Sequence, residues 1–326
     1  MARRIILDTD LAMGAPGSDI DDGFALALAL AEPDLSVELV TTVNGNTDVE
    51  TATALTLELL DRLGRTDVPV VKGALTPLRR PLHPTTSRAA AAAARGGLPQ
   101  RSPQAGAAAP AIVEAVMAAP GQVTIVAIGP LTNVALAMRL EPRLAGSVQE
   151  IVVMGGVYLQ HTNRLDMPGE FNIWVDPDAA AIVLDSGAPL RLVGLDVTLQ
   201  VRLGRDDAER MAAGGRPFGE FAGRSTVAWI EHLASAGWGR GEDAGTCAMH
   251  DPLAVAVVAH PELVTWSPAV VAVEAVGDVA RGVTVADFLD TARADGVASP
   301  APNCSVATAV DVERFTTHFL DRIAAL

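Results

Sequence analysis

Asp8, Asp10, Asp19, Asp21 and Asp22 crowd into one short stretch near the start of the chain. Carboxylates at that density repel one another, and a buried carboxylate without a partner is costly. A hard divalent cation reconciles them, because Ca²⁺ and Mg²⁺ take oxygen ligands from carboxylates, carbonyls and water. No thiolate or paired-His ligand set competes here, which argues against zinc. The plain alternative is a solvated acidic loop that caps a helix.

Two further groups suit the same chemistry. Met249-His250-Asp251-Pro252 stands just before the apolar stretch 253–259. Asp251 reads as an N-cap or first-turn acid with Pro252 at the first helical position, or as a further cation ligand beside a titrating His250. The two readings are compatible. In Glu170-Phe171-Asn172 the two polar side chains, two residues apart on an extended segment, would share one side, with Phe171 turned to the core. Such a pair suits neighbouring hydroxyls, Asn donating and accepting and Glu accepting. The alternative is a loop that leads into a helix through Asp178.

Composition narrows the partners. Lys plus Arg is 24 and Asp plus Glu 39, a net charge of −15. A nucleic-acid polymer would need a basic stripe, so no such partner is expected, and a basic membrane-surface helix is equally excluded. Apolar residues make up 49%, enough for a packed core. No apolar run approaches the roughly 18 residues of a membrane span. Met1-Ala2-Arg3-Arg4 leads into only three apolar residues before Asp8, too few for a signal-peptide core, so a cytoplasmic location is expected. Cys247 and Cys304 are the only cysteines and make no disulfide framework, and Lys72 is the only lysine.

The elements that must position these groups read as alternating short strands and helices. Strands are expected at residues 5–7, 37–43, 68–71, 123–128, 150–154 and 190–195, and helices opened by Asp21-Asp22 and at 51–63, 133–140 and 178–186. That rhythm predicts an α/β fold with a mostly parallel central sheet and helices on both faces, an open Rossmann-like arrangement. Ligands in such sheets lie beyond the C-terminal strand ends. Polar punctuation falls there: Asp8/Asp10, Asn44/Asn46, Gly129-Pro130, Gly155-Gly156 and Asp196. One domain covers 1–326. Residues 85–110, rich in Ala, Gly, Pro and Arg, read as a surface helix and linker or as a mobile lid. Residues 202–245 read as a smaller helical insertion.

At this point the motifs resemble a family, the calcium-dependent, inosine-uridine-preferring nucleoside hydrolases. The matching residues are Asp8-Thr9-Asp10 with Asp21-Asp22, Thr41-Thr42-Val43-Asn44-Gly45-Asn46 and Gly129-Pro130-Leu131-Thr132-Asn133. Met154-Gly155-Gly156, Glu170-Phe171-Asn172, Asp176-Pro177, Gly194-Leu195-Asp196-Val197-Thr198, His250-Asp251-Pro252 and the later Arg281-Gly282-Val283-Thr284-Val285 follow in family order. Each alone is weak; together they span nearly the whole chain.

The resemblance implies a Ca²⁺-assisted hydrolysis of the N-glycosidic bond of ribonucleosides, giving ribose and free base. It implies that Asp10, Asp22 and Asp251 hold the ion through carboxylates and Ile128 through its carbonyl, with ribose hydroxyls and one water completing the shell. Asp10 would take the water's proton as general base. Asp21, Asn46, Asn163, Glu170 and Asn172 would bind ribose hydroxyls, Met154 would lie under the sugar, and Asp8 would orient the neighbouring ligands. His250 has a suitable ordinary pKa to protonate the departing base, or only hydrogen-bonds beside the ion. Trp238 is the better stacking candidate for the base, with Trp229 as readily a packing residue. His161, His232, His260 and His318 read as surface or helix residues. Family resemblance also suggests a homodimer or homotetramer.

Departures from the family pattern lie on the leaving-group side. A short Pro-Gly link usually joins the first aspartates to the Asp-Asp pair, whereas residues 11–20 lie between them here. Asp22 is aligned as the ligand because Gly23-Phe24-Ala25-Leu26 continues as the family helix does, with Asp19 as the runner-up. A His-Gly signature after the third strand is missing, with His83 standing nearby. Two other functions compete. One is a non-catalytic nucleoside- or ribose-binding module of the same fold. The other is a haloacid dehalogenase-like phosphatase, in which the first Asp of Asp-x-Asp is a nucleophile. The latter needs a downstream cation, and Lys72 comes too early.

Overall fold

The computed structural model describes residues 2–82, 101–237, 243–288 and 301–326. Strands β1 (Arg3–Thr9), β2 (Leu35–Thr42), β3 (Val70–Lys72), β4 (Val123–Ala127), β5 (Glu150–Met154), β6 (Leu190–Val193), β9 (Val264–Val273), β10 (Thr284–Asp287) and β11 (Cys304–Val310) form one sheet. Its order is β10-β9-β11-β6-β5-β4-β1-β2-β3. From β3 to β11 neighbours run parallel, while β9 lies antiparallel to both β11 and β10. A separate antiparallel ribbon joins β7 (Arg202–Gly204) and β8 (Thr246–Ala248).

The central strands are apolar because they are covered twice. Along β1, Ile5 and Leu7 face one core and Ile6 the other, the period-two alternation of a strand with helices on both sides. The first core takes the helices Asp21–Ala31, Pro217–Ser235, His250–Ala259 and Val312–Ala324. The second takes Ala108–Ala118, Thr132–Leu140 and Pro177–Leu184. Phe24 meets Phe218 and Phe319 edge-on at 6.2 and 5.5 Å. Each such pair adds about 0.5–1.5 kcal/mol beyond burial.

The chain leaves β1 toward β2 and β3, then returns to β4 on the other side. That reversal opens a crevice beyond the C-terminal ends of β1 and β4. Two helices point their N-termini at it, Asp21–Ala31 and His250–Ala259, and they pack on each other. The second is buried from Asp251 to Val258, so it reads as apolar on every side rather than amphipathic.

Several boundaries differ from the sequence reading. The strand expected to reach residue 195 stops at Val193, and Leu195–Thr198 forms a single helical turn in which Asp196 accepts from Tyr158 N and Leu159 N at 2.7 and 3.0 Å. Pro252 is the third residue of its helix, not the first. Of the segment 85–110, residues 85–100 lie outside the described residues, while Gln104 bridges to Val71 and Ala108 opens a helix. Between β7 and β8 stand the helices Arg205–Ala213 and Pro217–Ser235. Residues 11–20 are folded inward: Leu11, Ala12 and Met13 are buried, Met13 fills the space a Cβ at Gly23 would need, and Gly14 and Gly17 abut Phe221 and His232. Lys72 forms a surface ion pair with Glu50 at 2.7 Å.

Candidate active site

Strand β1 ends by delivering Asp8, Thr9 and Asp10 into the crevice, all fully buried. Asp8 is held on one oxygen by Thr41 Oγ1 at 2.5 Å and Asn133 Nδ2 at 2.7 Å. Asn133 also donates to Thr42 O and accepts from Ala74 N, so one amide ties three strand ends together. Asp10 Oδ2 accepts from Asn46 N at 2.7 Å. Gly45 is required beside it, since a Cβ there would lie 1.9 Å from that oxygen. On the other side a Cβ at Gly129 would come within 2.8 Å of Asp10 Oδ1.

Asp21 and Asp22 occupy the first turn of their helix, where the N-terminal dipole favours carboxylates. Asp22 accepts from Thr9 Oγ1 and from Asn46 Nδ2 at 3.0 Å. Asp251, in the first turn of the other helix, donates its main-chain N–H to Asp21 Oδ2 at 3.1 Å. Asp19 is less enclosed and accepts from Ile20 N at 2.7 Å.

Burial raises every one of these acids. Asp8 and Asp22 are pushed up to about 6, burial outweighing their hydrogen bonds. Asp10 rises well above the usual carboxylate range through burial and then the Asp22 charge, Asp21 through burial and then Asp19 and Asp22. Asp251 rises through burial and then Asp21, Asp22 and Asp10. Among the described residues none of the five pairs with an arginine or lysine. Asp10 Oδ1 and Asp8 Oδ2 are buried without a hydrogen-bond partner, and one oxygen each of Asp21, Asp22 and Asp251 lie within 4.8 Å of one another. A hard divalent cation fits this set: the donors are all oxygens, negative charge is in excess, and unpartnered lone pairs remain.

The Glu170 segment departs from expectation. It is not extended; Glu170 caps the helix Phe171–Val175 and accepts from Asn172 N, Gly156 N and Ile173 N at 2.9, 3.0 and 3.2 Å. Helical geometry turns Ile173, not Phe171, to the core. Burial nevertheless lifts Glu170 to about 7. Asn172 Nδ2 donates to Ile128 O at 3.0 Å and Met154 O at 3.1 Å. One amide therefore links the ends of β4 and β5 to this helix.

His250 stands next to Asp251, with Nδ1 2.7 Å from Thr198 Oγ1. Its expected titration near neutrality is not met. Burial, and then the Arg202 charge, push its pKa down to about 4, so the ring is neutral at pH 7. A neutral ring carries one proton, and the Thr198 hydroxyl can either donate to Nδ1 or accept from it.

Asp8, Asp10, Asp21, Asp22, Asn46, Ile128, Met154, Glu170, Asn172 and Asp251 thus converge on one end of the sheet through the contacts above. Asn163 does not join them: it is exposed in the loop before Glu170, at φ 56°. Trp238 and His83 lie outside the described residues, and Trp229 stacks on His232 at 5.3 Å against the core. Sequence reasoning missed the positioning side chains Thr9, Thr41 and Asn133. For Thr9 and Thr41 the available signal was a polar residue at the C-terminal end of a strand; Asn133, in the helix Thr132–Leu140, offered none.

Among the described residues no helix is long and apolar enough to cross a membrane. Residues 5–317 match the model of the inosine-uridine preferring nucleoside hydrolase family. The chain is 38% identical over 318 residues to a non-specific ribonucleoside hydrolase, RihC, of Salmonella paratyphi C, covering 95% of this chain and 94% of that one. Its fold is similar to a plant nucleoside hydrolase, PpNRh1, with TM-score 0.87, 30% identity and full coverage of both chains. It is also similar to a purine-preferring ribonucleoside hydrolase from Gardnerella vaginalis, with TM-score 0.85, 31% identity and coverage of 99% and 98%. With its carboxylate pocket at the β1–β4 crevice, this chain belongs to the inosine-uridine preferring nucleoside hydrolase family.

Proposed function

We propose that this protein hydrolyses the N-glycosidic bond of ribonucleosides to ribose and free base, at a Ca²⁺ held by Asp10, Asp22, Asp251 and the Ile128 carbonyl. The observation that carries the reading is the cluster of buried carboxylates, Asp8 and Asp10 each with an unpartnered oxygen, that pairs with no arginine or lysine among the described residues. When bound, such an ion lowers the pKa of a water and draws vicinal hydroxyls to itself.

Asp10 acts as general base: its Asn46 contact fixes one oxygen and leaves the other free to accept the water's proton. Asp21, Asn46, Glu170 and Asn172 bind ribose hydroxyls, with Met154 beneath the sugar. That many contacts can hold the ring distorted toward the transition state. Asp8 positions Asp10 along the strand. A neutral His250 hydrogen-bonds the departing base, and Trp238 is the residue assigned to stack on that base. We further assign the protein a cytoplasmic location and a homodimeric or homotetrameric state.

The test is a reducing-sugar assay over a panel of purine and pyrimidine nucleosides, with and without a Ca²⁺ chelator. Ribose release that chelation abolishes supports the proposal. No release from any nucleoside removes the catalytic claim and leaves a binding module; full activity after chelation removes the metal.

A further inference from the structure

The two helices that aim carboxylates at the crevice carry metal-ligating side chains at their other ends as well. Glu32 caps the C-terminus of Asp21–Ala31, and His260 caps that of His250–Ala259. Eleven helical residues rise about 16 Å, so this second group lies roughly that far from the aspartates. The third member, His318, comes from Val312–Ala324, which packs on both helices.

Glu32 is buried, with a side-chain exposure of 1%. Its Oε2 lies 3.0 Å from His318 Nε2 and 3.5 Å from His260 Nε2. Both Nε2 atoms are buried, and neither finds a well-directed hydrogen bond. The imidazoles meet edge-on, with centroids 4.5 Å apart and planes at 67°. All three ligand atoms lie within 4.8 Å of one another. A tetrahedral site with bonds of about 2.0–2.1 Å has edges of about 3.3 Å, which the two observed separations bracket.

The surroundings suit imidazole ligands. His260 turns Nδ1 toward Glu262, at 3.7 Å, the side from which a carboxylate orients a metal-bound histidine. Arg314 holds Glu262 at 2.8 Å, and Arg322 lies 3.2 and 3.5 Å from the two Glu32 oxygens. Two arginines are thus matched by two carboxylates.

We infer that Glu32 Oε2, His260 Nε2 and His318 Nε2 form a second metal site, selective for a borderline transition ion such as Zn²⁺, with water as the fourth ligand. Two imidazoles and one carboxylate favour zinc, whereas the all-oxygen aspartate cluster favours a hard cation. The site clamps the far ends of both carboxylate-bearing helices to the C-terminal helix, and it does not depend on the function proposed above.

The full-length protein is held in excess Ca²⁺ and titrated with Co²⁺ as a visible stand-in for Zn²⁺. One Co²⁺ per chain is expected, with the strong visible absorption of tetrahedral coordination, displaced by one equivalent of Zn²⁺. An ion in the all-oxygen cluster would be six-coordinate and weakly absorbing. Affinity falls at least tenfold in His318→Gln and, separately, in His260→Gln, and Zn²⁺ raises the melting temperature of the parent only. If one variant does not fold, the other decides. No tetrahedral absorption in the parent, or unchanged affinity in either folded variant, overturns the inference.

Discussion

The main-chain N–H of Asp251 donates to Asp21 Oδ2 at 3.1 Å, joining residues 230 positions apart. The bond locks together the N-terminal turns of two packed helices. It also favours the charged form of Asp21 against burial. Acids 230 positions apart therefore share one pocket where these two helices pack.

Asp10→Asn keeps an acceptor for Asn46 N–H and removes the base. The variant folds, with an unchanged circular dichroism spectrum, and ribose release falls by about 10²–10⁴-fold. Near-parental turnover would move the base to another residue.

Asp22 is fixed by Thr9 and Asn46 inside the carboxylate group, whereas Asp19 is more open and bonds its neighbour's main chain. Asp22→Ala weakens Ca²⁺ binding more than Asp19→Ala does in calorimetric titrations. The reverse ranking would assign the ligand to Asp19.

Gly45→Ala places a methyl 1.9 Å from Asp10 Oδ2 and forces that carboxylate aside. A misplacement of about 1 Å costs on the order of 10²-fold in rate. Hydrolysis drops by about that factor while the far-UV spectrum stays unchanged; an equally active Gly45→Ala would show that the Asp10 geometry is not critical.

The carboxyls make the metal-free protein sensitive to base. Asp8 and Asp22 lie at about 6 and Glu170 at about 7, against roughly 3.9–4.3 in unfolded chains. The native state thus binds protons more tightly. Its stability is greatest below the unfolded values and is lost as pH rises through about 6 to 7. The melting temperature of the Ca²⁺-stripped protein falls between pH 5 and pH 8, and the gain on adding Ca²⁺ is larger at pH 8. A gain that shrinks toward pH 8 would contradict this.

Local patterns made much of this legible in sequence. Strand β5 runs from Glu150 to Met154 as read, because an apolar run bounded by turn residues needs no distant partner. The acids after Leu7 mark a strand end for the same reason. Glu170 was misplaced because glutamate is not among the favoured N-cap residues, and its cap depends on Gly156 packing close. No local pattern names the partners of Thr9, Thr41 and Asn133, because those carboxylates lie 13, 33 and 125 positions away. His260 and His318 read as isolated helix residues for the same reason. They meet only because two helix ends are buried against a third.

The lone lysine has a practical consequence. Lys72 ends β3, two strands from Asp10 and at the same end of the sheet. At about 4.8 Å per strand, it stands roughly 10 Å from the pocket. Apart from the chain terminus, amine-reactive chemistry has a single address on this molecule. A dye coupled there would be a ready-made spectroscopic ruler for what enters and leaves.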